Sequence, residues 1–112
     1  MTSQPDLWRR LRDDGIDRAT RAAPDAWHDE ARSALMHVCR TRESFTSTDV
    51  YEAMPPGIRD TAKGQALAGV LRSARTNGFC LPTMEFRNEK RARNHGRPQR
   101  VWKSLVFDGG SA

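Results

Sequence analysis

Gln65-Ala-Leu-Ala-Gly-Val-Leu-Arg-Ser-Ala-Arg-Thr-Asn-Gly-Phe79 changes from a helical to an extended pattern at its end, and that change decides the fold. With 100° per residue, Val70, Leu71 and Ala74 fall within about 60° of Leu67 and form an inward face. The spacing predicts a helix from Asp60 or Thr61 to Asn77, with Gly78 at C′. Its opposite face carries Thr61, Gln65, Ala68, Gly69, Arg72 and Thr76, with Arg59 and Lys63 near the start and Arg75 on the flank. Gly69 in mid-helix costs roughly 1 kcal/mol relative to Ala. Such a cost is best understood if something approaches the backbone closely there.

Downstream, Phe79 to Arg87 and Arg100 to Phe107 read as strands on either side of the polar stretch 88–99, which holds Gly96 and Pro98. A β-hairpin with a long basic tip is expected, with Val101, Trp102, Leu105 and Val106 as its apolar surface. Upstream, Thr46 and Asp49 have the spacing of a capping box, so a short helix should begin near Ser47 and carry Val50, Tyr51 and Met54. Pro55-Pro-Gly57 ends it. Before that, Pro24-Asp25 opens a helix whose Trp27, Ala31, Ala34, Leu35 and Val38 share one face and belong to the core. His28 and His37 lie beside that stripe as surface or boundary residues.

Residues 1–23 read as a separable helical arm packed on the domain, with Leu7, Trp8 and Leu11 as a narrow apolar stripe and Gly15 as a stop. Residues 17–23 add a further turn or two before Pro24. The organisation expected is therefore an arm (1–23), one α+β domain (24–107) and a disordered tail (108–112).

Charge divides the 112 residues unevenly. Residues 1–58 hold 8 basic and 10 acidic side chains, net −2; residues 59–107 hold 11 and 3, net +8; Asp108 brings the total to +5. Residues 87–103 alone reach +6, from Arg87, Lys90, Arg91, Arg93, Arg97, Arg100 and Lys103 against Glu89. A surface of that sign faces a polyanion. At 37% hydrophobic the chain supports one small core, and no stretch approaches the ~18 apolar residues of a membrane span. The opening Met1-Thr-Ser-Gln-Pro-Asp6 lacks the apolar run of a secretory signal, so a cytoplasmic setting is expected, nucleoid-associated when bound. Cys39 and Cys80 form no CxxC pair and read as core thiols, and the three histidines have no metal-ligand spacing. No cofactor motif, carboxylate pair or Cys/His couple stands at a useful spacing, so an enzyme is not expected. His95, in the basic loop, reads as a residue close to phosphate.

Helix, brief strand, short helix, turn, longer helix and hairpin is the element order of a winged helix-turn-helix domain. Phe45-Thr-Ser-Thr-Asp-Val50, the Gln65–Phe79 stretch and His95-Gly-Arg-Pro-Gln-Arg-Val-Trp-Lys-Ser104 resemble small winged-helix DNA-binding proteins of actinobacteria and their phages, over about residues 25–107. The resemblance implies a three-helix core with a C-terminal wing and sequence-specific binding of double-stranded DNA, most often as a transcriptional regulator. A phage protein would act in its host's cytoplasm. The turn Pro55-Pro-Gly-Ile-Arg59 departs from the pattern, being longer than the three or four residues of a strict helix-turn-helix.

On that reading, Arg59, Thr61, Lys63, Gln65, Ala68, Gly69 and Arg72 enter a major groove about 12 Å wide, Gln65 suiting adenine and Arg72 guanine. Arg87, Lys90, Arg91, Arg93, His95, Arg97, Arg100 and Lys103 grip phosphates or an adjacent minor groove. A homodimer through Leu7, Trp8 and Leu11 would match a two-fold operator. The competing expectation is a phage interaction module that keeps the fold but docks on a host DNA-handling protein.

Overall fold

The computed structural model describes residues 4–62, 65–88 and 98–109, with side chains from Arg9 onward. The first helix, α1 (Gln4–Ala22), runs unbroken through Gly15, where a stop was expected. A mid-helix glycine costs roughly 1 kcal/mol. Ile16, Ala19 and Ala23 are buried just beyond it, and burying one Ile-sized side chain returns about 1.5–3 kcal/mol. Packing therefore carries the helix past its weak point. The expected arm is thus part of the core along its second half, while Leu11 remains exposed.

The second helix, α2 (Asp25–Thr41), buries Trp27, Ala31, Ala34, Leu35, Val38 and Cys39, the expected face. Two contacts lock its start. Trp27 Nε1 donates to Arg59 O at 3.2 Å, and His28 Nε2 donates to Thr20 O at 2.8 Å, satisfying a carbonyl in the last turn of α1.

A two-residue strand, β1 (Ser44–Phe45), leads into α3 (Ser47–Ala53). Asp49 is buried and accepts the Thr46 N–H at 2.9 Å, the helix-entry bond expected from the spacing. A one-turn helix, α4 (Pro56–Arg59), then precedes α5 (Gln65–Thr76). The expected third helix is therefore shorter at its start, because Thr61 and Asp60 sit in the turn that closes α4. Ala66, Leu67, Val70, Leu71 and Ala74 form its buried face, and Gly78 takes the left-handed φ of +84° that ends it.

The hairpin consists of β2 (Cys80–Asn88) and β3 (Pro98–Ser104). With β1 they make a three-stranded antiparallel sheet in the order β1-β3-β2, with Trp102 opposite both Phe45 and Pro82. Among the described residues, five helices on such a sheet give an α+β domain compatible with a winged helix. Leu105 to Phe107 lie beyond the strand in which they were expected. Asp108, expected in a disordered tail, donates its N–H to Arg40 O at 3.1 Å.

Cys39 of α2 and Cys80 at the start of β2 are free and fully buried. The neighbouring Cys39 side chain and burial both push the Cys80 thiol far above its ordinary range.

Candidate nucleic-acid interface

The candidate interface is built around α5, whose two exposed-side flanks meet different neighbours. On one flank α1 lies against the helix. A Cβ built on Gly69 would collide with Thr20 Oγ1 and come within 3.0 Å of Thr20 Cγ2. The close approach expected at Gly69 is therefore real, and the group that makes it is the chain's own first helix. Arg72 is drawn into the same contact, with Nη2 at 2.5 Å from Asp13 and Nη1 at 3.6 Å from Asp17. A Cβ on Gly15 would lie 3.7 Å from the Gln65 side chain. The face expected to enter a groove as one unit, Gln65, Ala68, Gly69 and Arg72, is thus closed along Gly69 and Arg72. The physical reason is that a small-residue stripe serves helix packing as well as it serves a groove.

The other flank of α5 is open. Leu67, Ala68 and Leu71 form the floor of a cleft of about 790 Å³. One wall is Arg12 and Ile16 of α1, and the other is Tyr51 of α3 with Pro82, Gln99, Arg100 and Trp102 of the hairpin. Arg72 and Arg75 stand along it. Four guanidinium groups therefore line the cleft, two of them paired with carboxylates of α1: Arg72 with Asp13 and Asp17, and Arg12 with Asp13 at 3.9 Å.

The loop end of the paired strands is fixed by polar contacts to α3. Arg42 and Arg87 approach the Asp49 carboxylate at 3.5 and 4.0 Å, so this buried charge is paired from two sides. Thr48 Oγ1 donates to Gln99 Oε1 at 2.7 Å. Arg100 donates to Thr83 O at 2.5 Å and lies 4.9 Å over the Phe86 ring. Arg87 and Arg100 are thus held at the loop end of the paired strands, and Lys103 is exposed on β3.

The other expected contacts divide. Thr61 is exposed, and its hydroxyl donates to Ile58 O at 2.7 Å. Arg59 is half-buried, 4.9 Å over the Tyr51 ring and 3.8 Å from Asp60, while the Tyr51 hydroxyl donates to the same carboxylate. It stiffens the turn instead of presenting a free cation. Lys63, Lys90, Arg91, Arg93, His95 and Arg97 lie outside the described residues, as do the side chains of Leu7 and Trp8.

Arg12, Arg42 and Tyr51 were not singled out from sequence as interface residues. The available signal was the 16, 19, 23 spacing of Ile16, Ala19 and Ala23, which orients α1 and carries Arg12, one turn before Ile16, to the cleft. Among the described residues, no three His, Cys, Asp or Glu side chains stand together as metal ligands. No described helix is long and apolar enough to cross a membrane. Comparison with family models, with curated proteins and with solved structures finds no match to the chain.

Proposed function

We propose that this chain is a winged-helix protein that binds double-stranded DNA in a sequence-dependent way, as a small actinobacterial or phage transcriptional regulator. One observation carries the reading. Arg12, Arg72, Arg75 and Arg100 converge on one cleft, and the hairpin forming its wall leads into the basic loop. The succession of α2, β1, α3, α5, β2 and β3, with sheet order β1-β3-β2, supports the winged-helix assignment.

In this proposal the loop cations and Lys103 grip phosphates, and α5 reaches the DNA along Ala68 and Arg75. Arg72 acts through α1, which holds it. The exposed Leu11 supports α1 as the dimer contact, which would place two basic faces on two half-sites.

Fluorescence anisotropy against a random duplex pool, followed by sequencing of the bound fraction, tests the reading. A palindromic consensus bound with steep salt dependence is the expected outcome. Binding that is flat between low and physiological salt would sink it.

A second reading rests on the outer strand β2, where Met84 is 89% and Phe86 58% exposed beside the exposed Leu81. Such a patch suits a protein partner. A partner retained by the full chain after nuclease treatment, with no affinity for purified duplex DNA, would favour it.

A further inference from the structure

We infer that the cleft between α1, α5 and the hairpin is a nucleotide site, taking one planar ring on its floor and one phosphate on its arginines. The inference rests on the nucleic-acid reading of this face and narrows it to a single ligand unit. Size comes first. About 790 Å³ lies within the range of small-molecule sites, roughly 300–1,000 Å³. A duplex can lie across such a cleft but cannot enter it.

Chemistry narrows the ligand further. Leu67, Ala68, Leu71 and Ile16 supply an apolar floor, and Trp102 and Tyr51 supply aromatic faces at the side. Bases stack on such rings without regard to sequence. A purely inorganic anion would leave this surface unused. An uncharged apolar ligand would leave the cations unused.

Charge sets the count. Four arginines line the cleft, and Asp13 and Asp17 engage two of them, Arg72 and, from Asp13 at 3.9 Å, Arg12, so the local balance is +2. That balance matches a phosphate monoester. Arg75 has no ion-pair partner among the described residues, and its fork can take two phosphate oxygens. Arg100, held by Thr83 O and stacked on Phe86, is preorganised on the opposite wall.

The nucleotide has two possible sources, a free metabolite or an unpaired residue of a strand. Calorimetric titration of the full chain with inorganic phosphate, thymidine 5′-monophosphate, a single-stranded 12-mer and the matching duplex separates them. The monophosphate should bind at least tenfold tighter than phosphate. A further gain for the single strand identifies the strand as the source, and no gain identifies the free nucleotide.

Ala68→Trp fills the cleft and should lower monophosphate affinity at least tenfold. Arg75→Ala, which removes an exposed guanidinium and no packing, should move monophosphate affinity the same way. Duplex binding without a preference for monophosphate over phosphate overturns the nucleotide site and leaves the DNA-binding reading standing. So does an Ala68→Trp variant, folded by circular dichroism, with undiminished monophosphate affinity. Absence of binding to every nucleic acid overturns both.

Discussion

The two flanks of α5 use the same residue types for opposite ends. Along Gly69 and Arg72 the helix is sealed by α1, with Thr20 against the glycine and two aspartates on the arginine. Along Ala68 and Arg75 it floors an open cleft with arginines on both sides. Neighbouring positions on one helix thus divide into packing and presentation. What separates them is which side α1 covers, a tertiary fact that no local pattern in α5 contains.

The largest effect should come from forcing the sealed flank apart. Gly69→Leu would gain about 1 kcal/mol of helix propensity on a free surface. Against Thr20 it should instead destabilise the fold by about 3 kcal/mol, the upper range for overpacking. Urea denaturation reads the sign directly, and a stabilised variant would mean that α1 does not lie there.

Next comes the contrast between two arginines one turn apart. Arg75→Ala should weaken nucleic-acid binding about tenfold, or ~1.4 kcal/mol. Arg72→Ala should change it less than threefold, because that guanidinium is already engaged. Titration of both variants at one salt concentration checks the difference, and equal losses would erase the distinction between the flanks.

Smaller still is the stability carried by the Arg72 cluster. Its members are about 40–60% exposed, so Arg72→Ala and Asp13→Asn should each cost about 1 kcal/mol or less. The double variant should cost less than the sum of the two, as a thermodynamic cycle would register.

The core beneath the hairpin offers a control that should show almost no change in either flank. With its pKa raised by Cys39 and by burial, the Cys80 thiol should resist alkylation at neutral pH until the chain unfolds. Rapid labelling of Cys80 in the folded protein would contradict its burial.

Much of this was legible in the sequence because it depends on short-range patterns. Trp27 to Val38 marks one helix face, Thr46 and Asp49 mark a helix entry, and Gly78 marks a helix end. Gly69 also signalled its cause correctly, since something does approach its backbone. The identity of that neighbour was hidden, because Gly15 resembles a stop and only the burial of Ile16, Ala19 and Ala23 carries α1 through it. The cleft was hidden for the same reason. Arg12 and Arg100 are 88 positions apart, and α1 together with the hairpin register brings them to one site.

The central claim is that the basic face of the hairpin and cleft meets nucleic acid, and the salt dependence of duplex affinity tests it most directly. For the full chain, log Kd should rise linearly with log salt, each neutralised phosphate adding about 0.9 to the slope. Replacing Arg91, Arg93 and Arg97 together by Glu should reduce that slope by about 2.7, three contacts at that value. A slope near zero in the parent chain, or one unchanged by the triple substitution, would contradict it.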